Sequence, residues 1–239
     1  MKYSKPPLVS VVIITKNEEK YLGKTLESVK NQTYRPIEIV VSDAASTDRT
    51  VKIAEKFGAR VLVKKSTTAE GRNLGGNFAK GRLLLFMDAD TSLQRRWIEH
   101  AVDDIENEDA DMVLGRFVSF ETNFRARTVC WLWSDFLPNL VRLFGVNFHS
   151  MPSGYLIKRE FFQKVKGFDE DILTGEDAEF ADRVSKKGKV IRDKSCVSRT
   201  SMRRFEKGGY SKWMMYWLVA GGSMILFGKP PMKSYKEIR

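Results

Sequence analysis

The sequence predicts an α/β fold built on a doubly wound sheet. Three observations predict it: unbroken apolar runs of strand length recur through the first 117 residues, segments of helical periodicity separate them, and the fourth run ends in two closely spaced aspartates. Strands that are apolar along their whole length are covered on both faces, and helices in the connections provide the cover.

The elements follow in order. Residues 9–14 are apolar except for Ser10 and form the first strand. Residues 16–31 read as a helix with Leu22, Leu26 and Val29 on one face. Residues 37–41 are the second strand; Ser46 or Thr47 caps a helix that runs to about Phe57 and stops at Gly58. A short strand at 60–63 precedes a helix at 69–79, read as helical despite Gly71, Gly75 and Gly76. The fourth strand covers 82–87, a helix covers 93–108, and a strand at 112–117 closes the regular half. Ligands of such a sheet bind beyond the carboxyl ends of its strands.

The second half is less regular. Residues 124–148 are rich in aromatics, including Trp131, Trp133, Phe136, Phe144 and Phe148. Short helices are expected at 160–165 and 176–187, the latter packing through Phe180, Ala181 and Val184, with a further strand at 189–191. A basic stretch, 199–212, leads into an uncharged apolar run, 213–227, in which Gly221 and Gly222 weaken a simple helix. No internal repeat or long linker appears, so 1–117, 118–198 and 199–239 read as parts of one fold.

Composition narrows the chemistry. Hydrophobic residues at 42% supply a real core and argue against disorder. A net charge of +11 favours anionic partners. Cys130 and Cys196 make neither a disulfide framework nor a CxxC zinc site, which favours a reducing compartment. With His100 and His149 the only histidines, a metal would be held mainly by carboxylates, hence a hard divalent cation, magnesium or manganese. The first apolar run is too short for a signal peptide, and 213–227 falls short of the roughly 20 residues of a membrane span.

Two acidic pairs stand out. Asp88-Ala-Asp90 follows the apolar fourth strand, so both carboxylates reach the binding edge of the sheet and can share a cation with a diphosphate. The plain alternative is a polar turn with Asp90 as a cap. Gly175-Glu-Asp177 opens a helix, where acids are favoured by its positive end; the functional alternative is a general base for an acceptor hydroxyl.

These segments, in their order and spacing over 9–187, resemble the inverting nucleotide-sugar glycosyltransferases of family 2, which have the GT-A fold: a nucleotide-binding sheet with an integrated acceptor-binding half. Val9-Ser-Val-Val-Ile-Ile-Thr-Lys-Asn-Glu18 resembles the opening strand and donor loop, Ile39-Val-Val-Ser-Asp43 with Ser46-Thr-Asp48 the second strand and its turn, and Gly71-Arg-Asn-Leu-Gly75 leading to Asp88-Ala-Asp90 the diphosphate and metal region. Pro152-Ser-Gly154, Gly167-Phe-Asp169 and Gly175-Glu-Asp177 resemble the acceptor half. The resemblance implies donor contacts from Thr15, Asn17, Glu18, Asp43, Arg72 and Asp88. It implies a metal held by Asp88 and Asp90, with His149 as a further candidate. Asp177 is the implied base with Glu176 beside it, and Pro152, Ser153, Gly154, Glu176, Arg203 and Arg204 lie on the acceptor side. Two departures are Lys16, where the family often has an aromatic residue, and the turn Ala44-Ala45.

The expected reaction is direct displacement with inversion, moving one sugar to a hydroxyl or phosphate. A lipid or lipid-linked acceptor fits the basic surface. Basic residues beside Trp213, Tyr216 and Trp217 suit an anionic membrane interface, so a peripheral protein on the cytoplasmic face of the membrane is expected. Packing within the chain or in a homodimer is the alternative use of the same apolar segment. Other readings are a sugar nucleotidyltransferase and a basic nucleic-acid or anionic-surface binding module; no nucleic-acid recognition pattern is present, and no nucleic-acid partner is expected.

Overall fold

A computed structural model describes residues 5–143 and 153–227. Its sheet has eight strands in the order β3-β2-β1-β4-β7-β6-β8-β5. The first four are β1 (Val9–Thr15), β2 (Ile37–Asp43), β3 (Arg60–Val63) and β4 (Leu83–Asp88), all parallel as expected. They are joined by α1 (Leu22–Lys30), α2 (Thr50–Lys56) and α3 (Thr68–Phe78). Beyond β4 the chain forms β5 (Thr91–Leu93), α4 (Trp97–Asn107) and β6 (Met112–Ser119). A helical stretch follows: α5 (Phe124–Trp131), a π-helical turn (Leu132–Phe136) and α6 (Leu137–Arg142). The last elements are β7 (Tyr155–Lys158), α7 (Arg159–Lys164), α8 (Glu176–Ser185), β8 (Val190–Thr200), α9 (Arg203–Gly208) and α10 (Tyr210–Phe227).

Alternation along β1 and β4 explains why their sequences are apolar apart from Ser10 and the strand ends Thr15 and Asp88. Val9, Val11 and Ile13 of β1 and Leu83, Leu85 and Met87 of β4 face one core with Leu22, Leu26 and Val29 of α1 and Trp97, Ile98 and Ile105 of α4. Val12, Leu84 and Phe86 face the opposite core with Phe162, Phe180 and Val184. Both faces are therefore dry, as the continuous pattern requires. The glycines of α3 serve this packing: a Cβ on Gly75 would sit 2.5 Å from Val12 Cγ1, and one on Gly76 would sit 3.0 Å from the rings of Phe86 and Phe162. Their cost in helix propensity is offset by the close approach of helix to sheet. A capping box between Thr67 and Glu70 starts the helix.

The second half departs from a parallel repeat. β7, not anticipated, runs antiparallel between β4 and β6, while β8 extends the expected three-residue strand to eleven and pairs in parallel with β6. β5 pairs antiparallel with β8, so the expected helix at 93–108 begins only at Trp97. These pairings join residues far apart in sequence, and local periodicity carries no trace of them.

The C-terminal apolar run forms α10 through both glycines. Trp213 and Phe205 of α9–α10 share a third buried cluster with Phe117, Val129, Cys130 and Trp133. Trp217 meets Trp133 edge to face at 5.1 Å between ring centres. This tertiary packing outweighs the weak helical preference of Gly221 and Gly222. Opposite this packed face, Met215, Leu218 and Val219 are exposed.

Candidate active site

Thr15 and Asp43 end two neighbouring parallel strands and face each other in register. Asp43 is fully buried, and its carboxylate accepts hydrogen bonds from Thr15 Oγ1 at 2.7 Å, Ser46 N–H at 2.7 Å and Ser46 Oγ at 2.6 Å. Three donors make a buried carboxylate tolerable. After β1 the chain turns at Asn17, which has φ 54°. Its side-chain oxygen accepts from Thr47 N–H at 2.8 Å, its own N–H donates to Ser46 Oγ at 2.7 Å, and Glu18 N–H donates to Thr50 Oγ1 at 2.8 Å. Lys16 Nζ donates to the Ala44 carbonyl at 2.8 Å, so this departure from the family pattern fastens the two loops together. The same bonds explain two corrections. The helix expected from residue 16 begins at Leu22, and the one expected from Ser46 or Thr47 begins at Thr50, because those backbone and side-chain groups are used between loops.

A second group gathers around Arg72 of α3. Its guanidinium is buried, pairs with Asp88 Oδ1 at 3.2 Å and with Glu176 Oε1, and stands 5.4 Å from the ring centre of Phe168. Asp177 follows Glu176 in the first turn of α8, and its Oδ1 accepts from Ala178 N–H at 2.7 Å. Burial first, and the negative charge of Glu176 second, push the Asp177 carboxyl up to about 6 against the pull of Arg72. Arg72, Met87, Asp88, Ser153, Gly154, Tyr155 and Asp177 line one cleft. Acids assigned from sequence to different halves of the chain thus share one site.

Arg203 connects the loop after β1 to the aspartate pair. It donates to Glu18 through both terminal nitrogens, one of them 2.8 Å from Oε2, and its Nη2 lies 3.3 Å from Asp90 Oδ2. The guanidinium also lies over the Tyr21 ring, 4.5 Å from its centre. Burial, then the charge of Asp88, push the Asp90 carboxyl up to about 6, while Arg203 opposes the shift. Two acids in mutual repulsion, each drawing on an arginine, are a hard-oxygen donor set that suits magnesium or manganese. Among the described residues no group of three or more His, Cys, Asp or Glu side chains forms a metal cluster. A small divalent cation held by one or two carboxylates and substrate phosphates does not require one.

Of the expected acceptor-side residues, Ser153 and Gly154 line the cleft, Glu176 pairs with Arg72, Arg203 stands on Glu18 and Asp90, and Arg204 is exposed. His149 and Pro152 lie outside the described residues. Tyr155 and Tyr21 were not anticipated. The signal available for Tyr155 was its position directly after Pro152-Ser-Gly154; nothing local marked Tyr21, whose partner lies far along the chain.

Residues 10–166 match the sequence profile of the family described as Glycosyl transferase family 2. Glycosyltransferase GlyG of Streptococcus pneumoniae serotype 4 is 33% identical over 121 residues, which are 48% of this chain and 40% of that protein. A PGL/p-HBAD biosynthesis glycosyltransferase of Mycobacterium bovis (strain BCG) is 34% identical over 128 residues, 50% of each. The chain thus spans half or less of the length of these curated relatives. Mannosyltransferase PcManGT from Pyrobaculum calidifontis, solved with GDP-Man and Mn2+, superposes with a TM-score of 0.69 at 23% identity, covering 95% of this chain and 67% of that one. S. aureus TarS 1-349 in complex with UDP-GlcNAc gives 0.67 at 20% identity, covering 82% and 58%. These likenesses establish the GT-A fold.

Proposed function

The chain belongs to glycosyl transferase family 2, and we propose that it is an inverting enzyme that moves one sugar from a nucleotide-sugar donor to an acceptor hydroxyl or phosphate. One observation carries this reading: buried Arg72 ties Asp88, at the end of β4, to Glu176, so that Asp177 stands beside the expected donor site in the same cleft. Membership of the family sets this reading ahead of a sugar nucleotidyltransferase or a nucleic-acid binding module.

Thr15, Asn17, Glu18 and Asp43 form the wall on which the nucleotide rests, with Asp43 held rigid by its three hydrogen bonds. Arg72, paired with Asp88 and Glu176, brings a guanidinium to the expected diphosphate position. Asp88 and Asp90 would hold magnesium or manganese, which supplies positive charge against the departing nucleoside diphosphate. Asp177 takes the proton from the attacking acceptor oxygen. Its raised proton affinity suits a base working near neutral pH. Glu176, kept in place by Arg72, supports it and borders the acceptor side with Ser153 and Gly154. Pro152, Arg203 and Arg204 are assigned to that side from the family pattern, and His149 is a further metal candidate on the same ground.

The acceptor is proposed to be lipid-linked and the enzyme peripheral on the cytoplasmic face of a membrane, with residues 199–239 as the contact region. The +11 charge and the exposed Met215, Leu218 and Val219 support this. No described helix is long and apolar enough to cross a membrane. A homodimer through the same face is the competing use.

A donor screen with membrane-lipid extract, read by mass spectrometry, tests the reading. Glycosylated lipid together with a free nucleoside diphosphate is expected from the native chain, and neither is expected from Asp177→Asn. Pyrophosphate as the product, or full transfer by the Asp177→Asn enzyme, would remove the assignment.

A further inference from the structure

Tyr155 opens β7, the strand inserted between β4 and β6, and its backbone is paired on both sides, with Phe86 and Leu114. Its ring stacks on Phe86 at 5.5 Å between centres and lies 6.4 Å from Phe168 and 6.3 Å from Phe180. Sheet and aromatic neighbours therefore fix where the hydroxyl stands.

That hydroxyl is unusual for a buried group. Tyr155 is 2% exposed, and its oxygen, closed off from solvent, has no hydrogen-bond partner among the described residues. Buried hydroxyls are nearly always paired, because an unpaired one lowers stability. A phenylalanine would fill the same aromatic cluster without that cost. The residue also lines the cleft with Arg72, Asp88 and Asp177. Arg72 does not donate to the phenol oxygen, and none of the neighbouring carboxylates accepts from its O–H. Burial pushes the phenol's proton affinity well above its ordinary range, so the group remains an O–H donor.

We propose that Tyr155 contacts the substrate, its O–H donating to an oxygen of the bound nucleotide sugar, either a sugar hydroxyl or a diphosphate oxygen. This rests on the glycosyltransferase reading above. In the resting fold the donor is positioned but unpaired; the ligand supplies its acceptor. Because the oxygen is closed off from solvent, cleft side chains part to let the ligand reach it, while the ring, held by the sheet and its aromatic neighbours, stays in place.

The test compares the native chain, Tyr155→Phe and Asp177→Asn, all with Mn2+, by titration calorimetry with UDP-GlcNAc, GDP-mannose, UDP and GDP. Thermal unfolding and the rate of nucleoside diphosphate release accompany it. Tyr155→Phe is expected to melt no lower than the native chain. It is also expected to bind the productive nucleotide sugar, or to turn it over, about tenfold less well. Weaker binding of the nucleotide sugar alone identifies a sugar hydroxyl; equal weakening of the nucleoside diphosphate identifies a diphosphate oxygen. Unchanged affinity and turnover in Tyr155→Phe would overturn the proposal. So would a lower melting temperature accompanying the loss, which would mean that the hydroxyl has a structural partner. Full turnover by Asp177→Asn, or no binding of any of the four nucleotides by the native chain, would instead remove the reading beneath it.

Discussion

Arg203, in the first turn of α9, reaches Asp90 at 3.3 Å while holding the Glu18 carboxylate with both terminal nitrogens. One guanidinium thus joins the loop after β1, the turn after β4 and the start of the C-terminal helices. All three side chains are largely buried, so the charges depend on one another rather than on solvent.

Replacing Arg203 by Ala leaves Glu18 and Asp90 facing each other without the guanidinium that pairs with both. A loss of about 3 kcal/mol is expected for a broken, mostly buried ion pair. Urea unfolding in EDTA measures it. Mn2+ should restore part of the loss, because a cation on Asp90 replaces the missing charge. Equal stability with and without Mn2+ would count against Asp90 as a metal ligand.

Arg72→Lys should be nearly as damaging as Arg72→Ala. A single ammonium cannot reproduce the fork that spans Asp88 and Glu176. About 2–4 kcal/mol of destabilisation is expected for either variant, given the burial of the pair. Denaturant midpoints of the two variants check it; a lysine variant as stable as the native chain would show that charge alone suffices.

Asp177, the proposed base, should make activity depend on pH in a defined direction. Its carboxyl is pushed from 3.8 up to about 6, so below that pH it is protonated and cannot accept a proton. kcat/KM should therefore rise as pH increases through about 6. Stability changes in the opposite sense. The folded protein holds this proton more tightly than the unfolded chain, so the benefit is complete below 3.8 and fades as pH climbs to about 6. Asp177→Asn, which does not titrate, should lack that decline. Parallel pH–stability curves for the two proteins would contradict it.

Gly75→Ala places a methyl 2.5 Å from Val12 Cγ1. Although alanine is the better helix former, overpacking between α3 and β1 should cost about 1–3 kcal/mol. A raised melting temperature would show that the helix can shift away from the sheet without penalty.

Membrane contact is best tested by point substitution, since α9 and α10 contribute Phe205 and Trp213 to a buried cluster and their removal would disturb the core. Met215, Leu218 and Val219 are 63%, 49% and 53% exposed, so changing all three to Ser should leave the fold intact. Sedimentation with vesicles containing anionic lipid should fall several-fold. Unchanged sedimentation would reject this face as the contact.

The parallel half of the sheet was legible because burial on both faces leaves a local signature: Ser10 apart, the central positions of β1 and β4 that meet the helix layers are apolar. Asp43, Asp88, Asp90 and Asp177 were legible for a related reason. Asp43 and Asp88 end strands, Asp90 follows in the turn after β4, and Asp177 lies in the first turn of α8, positions where a carboxylate is conspicuous beside an apolar run.

Loop conformation was another matter. Residues 16–21 and 46–49 have the composition of helix starts, yet the two loops bind each other through Asn17, Ser46 and Thr47. A helix end has spare donors whether or not it is extended, so tertiary partners decided the boundary.

By itself, the sequence determined which residues could be buried, where the parallel strands β1 to β4 run, and which acids stand at their ends, because those properties are set by neighbours along the chain. Only the tertiary structure decided that β7 enters the sheet, that Tyr155 brings an unpaired hydroxyl to the cleft, and that Arg203 closes on Glu18 and Asp90. Those outcomes depend on contacts between residues up to 185 positions apart, whose energies arise only when burial brings the groups together out of water.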